Sequence, residues 1–216
     1  MAGARMDGEE LLAQAEERAK SQGHSQVVLG QGPHYLFQGV PEENPGAVEF
    51  FQKRGYQAAW SSVNMRLDLA GYDPGQVDIP PVPEGVAFRL LETGEEPALL
   101  AAVEDAQPAW LEFYQGCPSP ILVAAEQGQL VGFAMVPPEG GRFLGDVEKP
   151  GSLECVGVVK SHRNRGIGMG MVLAGIRWLK EQGCGSIELR YVALEDWYEK
   201  VGFCTFQRMW MGEKNL

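Results

Sequence analysis

The segment that most constrains the fold of this chain is residues 153–182, where an apolar run passes through a glycine-containing turn directly into a helical pattern. Residues 153–159 (LECVGVV) are apolar throughout most of their length, which is typical of a central strand. Residues 166–182 place apolar side chains at helical spacing. The turn between them has the pattern R-x-x-G-x-G from Arg163 to Gly168. A strand, a tight turn and a helix in immediate succession indicate an α/β fold.

The same turn predicts an anion site. The first N–H groups of a helix lack partners within the helix, and the helix dipole makes this end positive. Glycines let the main chain approach a ligand without a Cβ in the way. The pattern is neither the G-x-G-x-x-G of dinucleotide-binding folds nor the Gly-Lys-Ser/Thr of a P-loop. On physical grounds alone, the turn predicts binding of a phosphate or pyrophosphate.

Composition narrows the class of protein. The chain has 216 residues, 44% of them hydrophobic, and a formal net charge of -11. Such an acidic surface disfavours nucleic acid as a partner and weakly favours cationic substrates. The four cysteines and three histidines are scattered without metal-ligand spacing, so no metal is expected. The N-terminus is charged rather than apolar and no run is long enough to cross a membrane, so we expect a cytoplasmic protein without membrane contact.

The pattern along the chain predicts an α/β protein with one mixed sheet. A linker rich in Pro and Gly at residues 70–85 marks a boundary near Pro80, which predicts two parts, residues 1–79 and 80–216. The other predicted elements are, in order, helix 8–20, strand 25–29, helix 47–54, strand 56–69, strand 86–91, a helical stretch 95–115 broken near Pro108, a hairpin of strands 121–125 and 130–136, strand 186–192, helix 196–201 and strand 203–211.

The first 70 residues repeat part of the later sequence. AVEFFQKRGYQ at residues 47–57 is similar to LEDWYEKVGFC at residues 194–204, and KSQGHSQVVL precedes the first as KEQGCGSIEL precedes the second. Phe51 aligns with Tyr198 and Gly55 with Gly202. The first part therefore reads as a partial copy of the back half of the second.

Residues 156–170, VGVVKSHRNRGIGMG, resemble the central motif of the GNAT superfamily of N-acetyltransferases, V-x-V-x-P-x-x-R/Q-x-x-G-x-G/A, with Lys160 where proline is common. The resemblance extends over residues 86–211 and includes YEKVGF after the next strand. It implies a mixed sheet flanked by helices, with acetyl-CoA as co-substrate. The implied contacts are main-chain groups of Val156, Gly157 and Val158 to the pantetheine arm and Asn164, Arg165, Gly166, Ile167, Gly168 and Met169 around the pyrophosphate, with Arg163 facing the phosphates or capping the turn.

The resemblance also implies catalytic positions. Tyr198 matches the tyrosine that many members use as a general acid near the coenzyme A sulfur, although a packing role is the alternative. Glu188 matches a general base of relatives that acetylate protein N-termini, and its alternative is an ion pair with Arg190 on the same strand face. Glu154 is a second candidate base, and water a third.

Two departures from the family pattern affect the interpretation. Members often carry N-x-x-A-x-x-x-Y before the short helix; the first part keeps most of it as NPGAVEFF from Asn44, whereas the second part lacks the Asn. The first part has no R-x-x-G-x-G turn, and Phe51 replaces the tyrosine. It therefore reads as a degenerate half-domain that binds no cofactor and covers a sheet edge or pairs between subunits of a homodimer.

The function predicted from the sequence is acetyl transfer from acetyl-CoA to a primary amine by direct attack, with the N–H of Val158 polarising the thioester carbonyl. The acceptor is either a small-molecule amine or a protein N-terminus. Loops at residues 139–151 and 104–120 are expected to shape its pocket. The alternative is a non-catalytic module that binds acetyl-CoA or a protein partner.

Overall fold

The computed structural model describes residues 7–30, 38–140 and 150–216. The chain divides into two compact units, residues 1–64 with 207–216 and residues 65–206. These bounds differ from the predicted parts, because the strand at 57–68 and the last strand each run from one unit into the other. They do not test whether residues 80–216 fold alone, so that division stays a prediction.

The smaller unit is built around the end of the last strand. Its elements are α1 (Gly8–Ser21), β1 (Gln26–Val28), β2 (Val40–Pro41), α2 (Pro45–Gln52), residues 57–64 of β3 (Gln57–Asp68) and residues 207–215 of the last strand. Asp7 caps α1 by accepting from the N–H groups of Glu9 and Glu10, and Asn44 caps α2. Its core centres on buried Val40, Tyr56 and Trp210.

The larger unit contains the remaining elements. They are β4 (Val86–Leu90), α3 (Glu96–Ala106), α4 (Leu111–Tyr114), β5 (Ile121–Glu126), β6 (Gln129–Met135), β7 (Pro150–Ser152), β8 (Glu154–Val158), α5 (Ile167–Glu181), β9 (Ser186–Val192), α6 (Glu195–Glu199) and the start of β10 (Cys204–Asn215). The predicted break near Pro108 is confirmed as a short 3-10 turn between α3 and α4.

A four-stranded antiparallel sheet in the order β4-β5-β6-β8 forms the first layer of this unit. The two helices α3 and α5 both contact β6 and β8. Successive β6 residues face opposite helices, as side chains along a strand alternate between its two faces. A Cβ on Gly132 would meet Met171 of α5. Phe133, the next residue, packs in the same cluster as Leu99 and Val103 of α3. The sheet is therefore covered on both faces.

A second ladder continues the larger unit in the order β3-β9-β7. Strands β7 and β9 are parallel, with Ser152 opposite Glu188. The predicted α/β class with a mixed sheet flanked by helices is confirmed, but its hydrogen-bond ladder is interrupted between β8 and β9. Within the described ranges, no helix is long and apolar enough to cross a membrane.

Candidate active site

The interruption between β8 and β9 arises where one extended segment changes partner. Residues 150–152 pair with β9, whereas residues 154–158 pair antiparallel with β6. The register shifts between Phe133 and Met135, and Cys155 has a φ of 48°. This β-bulge turns the strand away from β9. The edge of β8 that faces β9 is therefore left outside either ladder.

The open edge presents the main chain of Val158. The N–H of Val159 donates to the carbonyl of Val131 on β6 at 3.0 Å. Because antiparallel residues alternate between facing the partner and facing away, the N–H of Val158 lies on the side opposite β6. The mechanism predicted from the sequence requires the N–H of Val158 to point to this side.

A buried tyrosine holds the bulge. The hydroxyl of Tyr114 donates to the carbonyl of Cys155 at 2.8 Å, and its ring packs edge-on against Phe133 at 5.2 Å between centroids. Tyr114 is only 1% exposed. Burial raises its pKa well above the ordinary value, with smaller contributions from Cys155, Cys117 and Glu154, so the hydroxyl stays a donor. Sequence reasoning did not identify Tyr114, since an aromatic at the end of a helix carries no distinguishing local signal.

Arg163 caps the turn that follows β8. Its Nε donates to the carbonyl of Val158 at 3.1 Å, and its Nη2 donates to the carbonyl of Ala106 at 2.9 Å. The sequence left two roles open for Arg163, facing the phosphates or capping the turn. These two contacts are of the capping kind. By fixing the carbonyl of Val158, Arg163 also helps to orient the open edge of β8.

Gly166 makes the entry into α5 possible. Its φ is 76°, which side chains rarely adopt, and a Cβ there would lie 2.7 Å from the carbonyl oxygen of Pro81 and 2.9 Å from that of Pro80. Asn164, two residues earlier, also has a positive φ of 61°. The turn thus depends on glycine at position 166.

The start of α5 offers main-chain donors suited to an anion. The first bond inside the helix runs from the N–H of Gly170 to the carbonyl of Gly166 at 3.0 Å. The N–H groups of Ile167, Gly168 and Met169 therefore have no partner within the helix. Space beside Gly168 is bounded by Trp197, whose ring a Cβ would reach at 3.4 Å. These donors, at the start of a 15-residue helix, are suited to bind an anion.

A charged group lies beside the same turn. Arg165 donates through Nη1 and Nη2 to the two oxygens of Glu126 at 3.0 and 2.8 Å, and Nε2 of His162 lies 3.1 Å from Glu126. Arg165 lowers the pKa of Glu126 most, and burial opposes this. Among the described residues, no cluster of three or more His, Cys, Asp or Glu side chains could hold a metal. His34 and residues 141–149 of the expected acceptor loop lie outside the described residues.

Tyr198 lies on α6 between two aromatic rings. Its ring centroid is 4.7 Å from that of Trp197 and 5.9 Å from that of Phe203, both edge-on. Burial raises the pKa of Tyr198 to about 12, with a further contribution from Cys155. Burial likewise raises the pKa of Cys155 to about 12, which keeps the thiol neutral and unreactive.

Glu188 is held by two arginines. Its Oε1 accepts from Nε and Nη2 of Arg66 at 3.2 and 2.5 Å, and its Oε2 accepts from Nε and Nη2 of Arg190 at 3.3 and 2.8 Å. Burial raises the pKa of this carboxyl, but the two arginines outweigh burial and leave the pKa below its ordinary value. The ion pair with Arg190 was one of the two alternatives from the sequence. Arg66 was missed, since it lies 122 positions away along the chain.

Comparison with known proteins identifies the family of this chain. Residues 86–203, more than half of the chain, match the model of the Acetyltransferase (GNAT) family. The chain therefore belongs to the GNAT family of acetyltransferases, which use acetyl-CoA as co-substrate. A search of curated proteins gave no significant match.

Several solved structures share the fold. A GCN5-related glucosamine N-acetyltransferase region of a fungal multi-domain β-N-acetylglucosaminidase superposes with a TM-score of 0.80 at 24% identity, over 99% of this chain and 28% of that one. This chain thus spans little more than a quarter of the fungal protein. A GCN5-related N-acetyltransferase from Sphaerobacter thermophilus gives 0.69 at 22% identity, over 96% and 67%. A tandem GNAT protein of the clavulanic acid biosynthesis pathway gives 0.66 at 19%, over 99% and 72%.

Proposed function

We propose that this chain is an N-acetyltransferase that moves the acetyl group of acetyl-CoA to a primary amine by direct attack. The observation that carries the proposal is the open edge of β8, where the N–H of Val158 points away from β6 next to a helix start rich in main-chain donors. Acetyl-CoA supplies a thioester, which activates the acetyl group. Family membership supports acyl transfer. That the acceptor is an amine is the part of the proposal that goes beyond family membership.

The residues proposed to hold the co-substrate are those of the strand edge and the turn. Main-chain groups of Val156, Gly157 and Val158 would bind the pantetheine arm, which would pair with β8 in the way that an added strand does. The turn at residues 164–169 would hold the pyrophosphate through the N–H groups at the start of α5. Arg163 acts here by capping, because its donors are directed to two protein carbonyls.

The proposed chemistry needs polarisation of the carbonyl and assistance to the leaving sulfur. The N–H of Val158 donates to the carbonyl oxygen as negative charge develops there. The amine nitrogen bonds to the carbonyl carbon, the carbon–sulfur bond breaks, and the electron pair leaves with sulfur. Tyr198 is protonated at neutral pH, as any tyrosine is, and burial raises its pKa further, to about 12. It therefore acts as a hydrogen-bond donor to a departing thiolate with a pKa of roughly 8.5 by analogy with cysteine.

The amine must lose a proton, and Glu188 is poorly suited to accept it. Both its oxygens are occupied by guanidinium groups, and its pKa is below the ordinary value. Glu154 is exposed at the start of β8, the strand that also carries Val158. We therefore favour Glu154, acting directly or through water, over Glu188. Cys155 is not used as a nucleophile, because its thiol stays protonated.

The acceptor class stays open between small-molecule amines and protein N-termini. The fungal region that shares this fold is described as a glucosamine N-acetyltransferase, which makes amino sugars one class to include. The net charge of -11 favours cationic amines at long range.

The test is release of free thiol from acetyl-CoA in the presence of amino sugars, aliphatic and aromatic amines, amino acids and short peptides with free N-termini. We expect thiol release with at least one of these, together with the acetylated amine by mass spectrometry. Calorimetric binding of acetyl-CoA with no transfer to any acceptor would favour the non-catalytic alternative. No binding at millimolar concentration would reject the co-substrate site.

A further inference from the structure

Arg66, Glu188 and Arg190 form a cluster on neighbouring strands of the larger unit, which we call the arginine cluster. The buried Glu188 side chain is 4% exposed, whereas those of Arg66 and Arg190 are 46% and 31% exposed. Each arginine donates two N–H groups to a separate oxygen of the carboxylate. One buried anion thus fixes two cationic side chains that both reach the surface.

A cleft of about 520 Å³ opens beside Arg66. It is open to solvent and is lined by Arg66, Leu67, Asp68, Ala70, Gly71, Tyr72, Gly202, Cys204, Thr205 and Phe206. The guanidinium of Arg66 lies 5.1 Å from the ring centroid of Phe206, which is itself 46% exposed. The cleft therefore combines a fixed cation with an uncovered aromatic surface.

Arg66, which lines this cleft, has a donor edge that Glu188 does not occupy. Its Nε and Nη2 are committed to Glu188, and Nη1 has no hydrogen-bond partner within residues 7–30, 38–140 and 150–216. A guanidinium held on one edge by a carboxylate is pre-organised to bind another planar anion on the other edge. The aromatic ring beside it offers a contact for the apolar part of the same ligand.

We propose that the cleft at Arg66 and Phe206 binds a carboxylate attached to an apolar body. Glu188, in this account, is a positioning residue that holds Arg66 and Arg190.

Asp68 is the other charged residue of the cleft, and it sets the selectivity. It lies two positions from Arg66 on the same strand face. Its Oδ1 accepts from the N–H of Ala70 at 2.8 Å, so the carboxylate is fixed. Asp68 repels an anion and partly offsets Arg66. Removing its charge should therefore strengthen carboxylate binding, whereas removing that of Arg66 should abolish the preference.

The binding test uses three probes on the full chain without acetyl-CoA: hydrocinnamate, its neutral analogue hydrocinnamamide, and phenylpropylammonium. Ligand-observed NMR titration should show that hydrocinnamate binds about fivefold more tightly than the amide at low ionic strength, as expected for a partly exposed ion pair. The preference should fall when salt is raised, because the pair is screened.

Four variants separate the effect of charge from that of folding. Arg66→Gln should make the acid and the amide bind equally, Asp68→Asn should tighten the acid alone, and Phe206→Ala should weaken both probes together. Arg66→Lys keeps a positive charge beside Glu188 and so distinguishes a loss of charge from a folding defect. Melting curves check that all four variants are folded. The proposal is overturned if the acid and amide bind the parent equally, if neither binds, if the ammonium probe binds best, or if Arg66→Gln leaves the preference unchanged.

Discussion

The N–H of Leu69 donates to the carbonyl of Gly185 at 3.0 Å, directly after β3 and directly before β9. The N–H of Leu216 donates in the same way to the carbonyl of Ser25 at 2.9 Å, directly after β10 and directly before β1. Both β3 and β10 are 12 residues long. In each unit, the residue that follows a 12-residue strand donates to the residue that precedes another strand. The sequence repeat aligns Leu69 with Leu216 and Gly185 with Ser25, so the two hydrogen bonds join equivalent positions. That residues 1–69 are a degenerate half-domain remains a prediction.

Deleting residues 1–79 should lower the melting temperature of the remainder by at least about 5 °C or change its oligomeric state. The deletion removes β3, which lies next to β9, and with it the Arg66 that pairs with Glu188. Differential scanning calorimetry and gel filtration measure these two outcomes.

A chain that ends at residue 206 is the matched comparison. It removes residues 207–216, which pair with β1 and β2 in the smaller unit. We expect this truncation to be destabilising as well. If the chain lacking residues 1–79 kept the stability, oligomeric state and activity of the parent, the first part would be an independent appendage.

Gly168→Asp should abolish coenzyme A binding without unfolding the protein. The change puts a carboxylate among the N–H donors at the start of α5, where it repels a phosphate, while a Cβ there has ordinary contacts. Gly185→Asp is the control, because Gly185 has open space around its Cβ position and an unstrained φ. Isothermal calorimetry should show at least about a hundredfold loss for the first variant and none for the second. Parent-like affinity in Gly168→Asp would place the phosphate site elsewhere.

Tyr198→Phe should lower kcat by about tenfold to a hundredfold and change the affinity for acetyl-CoA by less than about twofold. Only the hydroxyl donor is removed, and the ring contacts with Trp197 and Phe203 remain. Tyr56→Phe, which removes a buried hydroxyl in the smaller unit, should leave kcat unchanged. Steady-state kinetics on an identified acceptor decide the matter, and an unchanged kcat for Tyr198→Phe would leave it a packing residue.

Glu188→Gln should destabilise the protein at neutral pH by about 2 kcal/mol, because two arginines lose their common carboxylate. The pKa of Glu188 in the folded protein is below its ordinary value of 4.5. A lowered pKa contributes stability above pH 4.5 that is lost as the pH falls through the folded value. The difference in melting temperature between parent and variant should therefore be largest at neutral pH and shrink below pH 4.5. A difference that grew on acidification would contradict the assigned ion pairs.

Most elements could be predicted from local pattern alone. The helix at residues 8–20 and the strand at 186–192 were located to within a residue, because amphipathic periodicity and capping residues are local properties. Strand β7 at 150–152 was missed, because proline and glycine interrupt its pattern and its pairing with β9 is non-local. The last strand was predicted to end at 211 and continues to Asn215, where its partner is β1.

The sequence by itself determined the fold class, the family and the position of the glycine turn, because a strand, a turn and a helix in immediate succession depend on neighbouring residues. Tertiary structure alone decided what the charged side chains do. Arg163 caps the turn, and Arg66 and Arg190 occupy both oxygens of Glu188. Glu188 and Arg66 are 122 positions apart in the chain and meet only because β3 and β9 are neighbours. A carboxylate's basicity depends on the charges and burial around it, and those are fixed by packing rather than by local sequence.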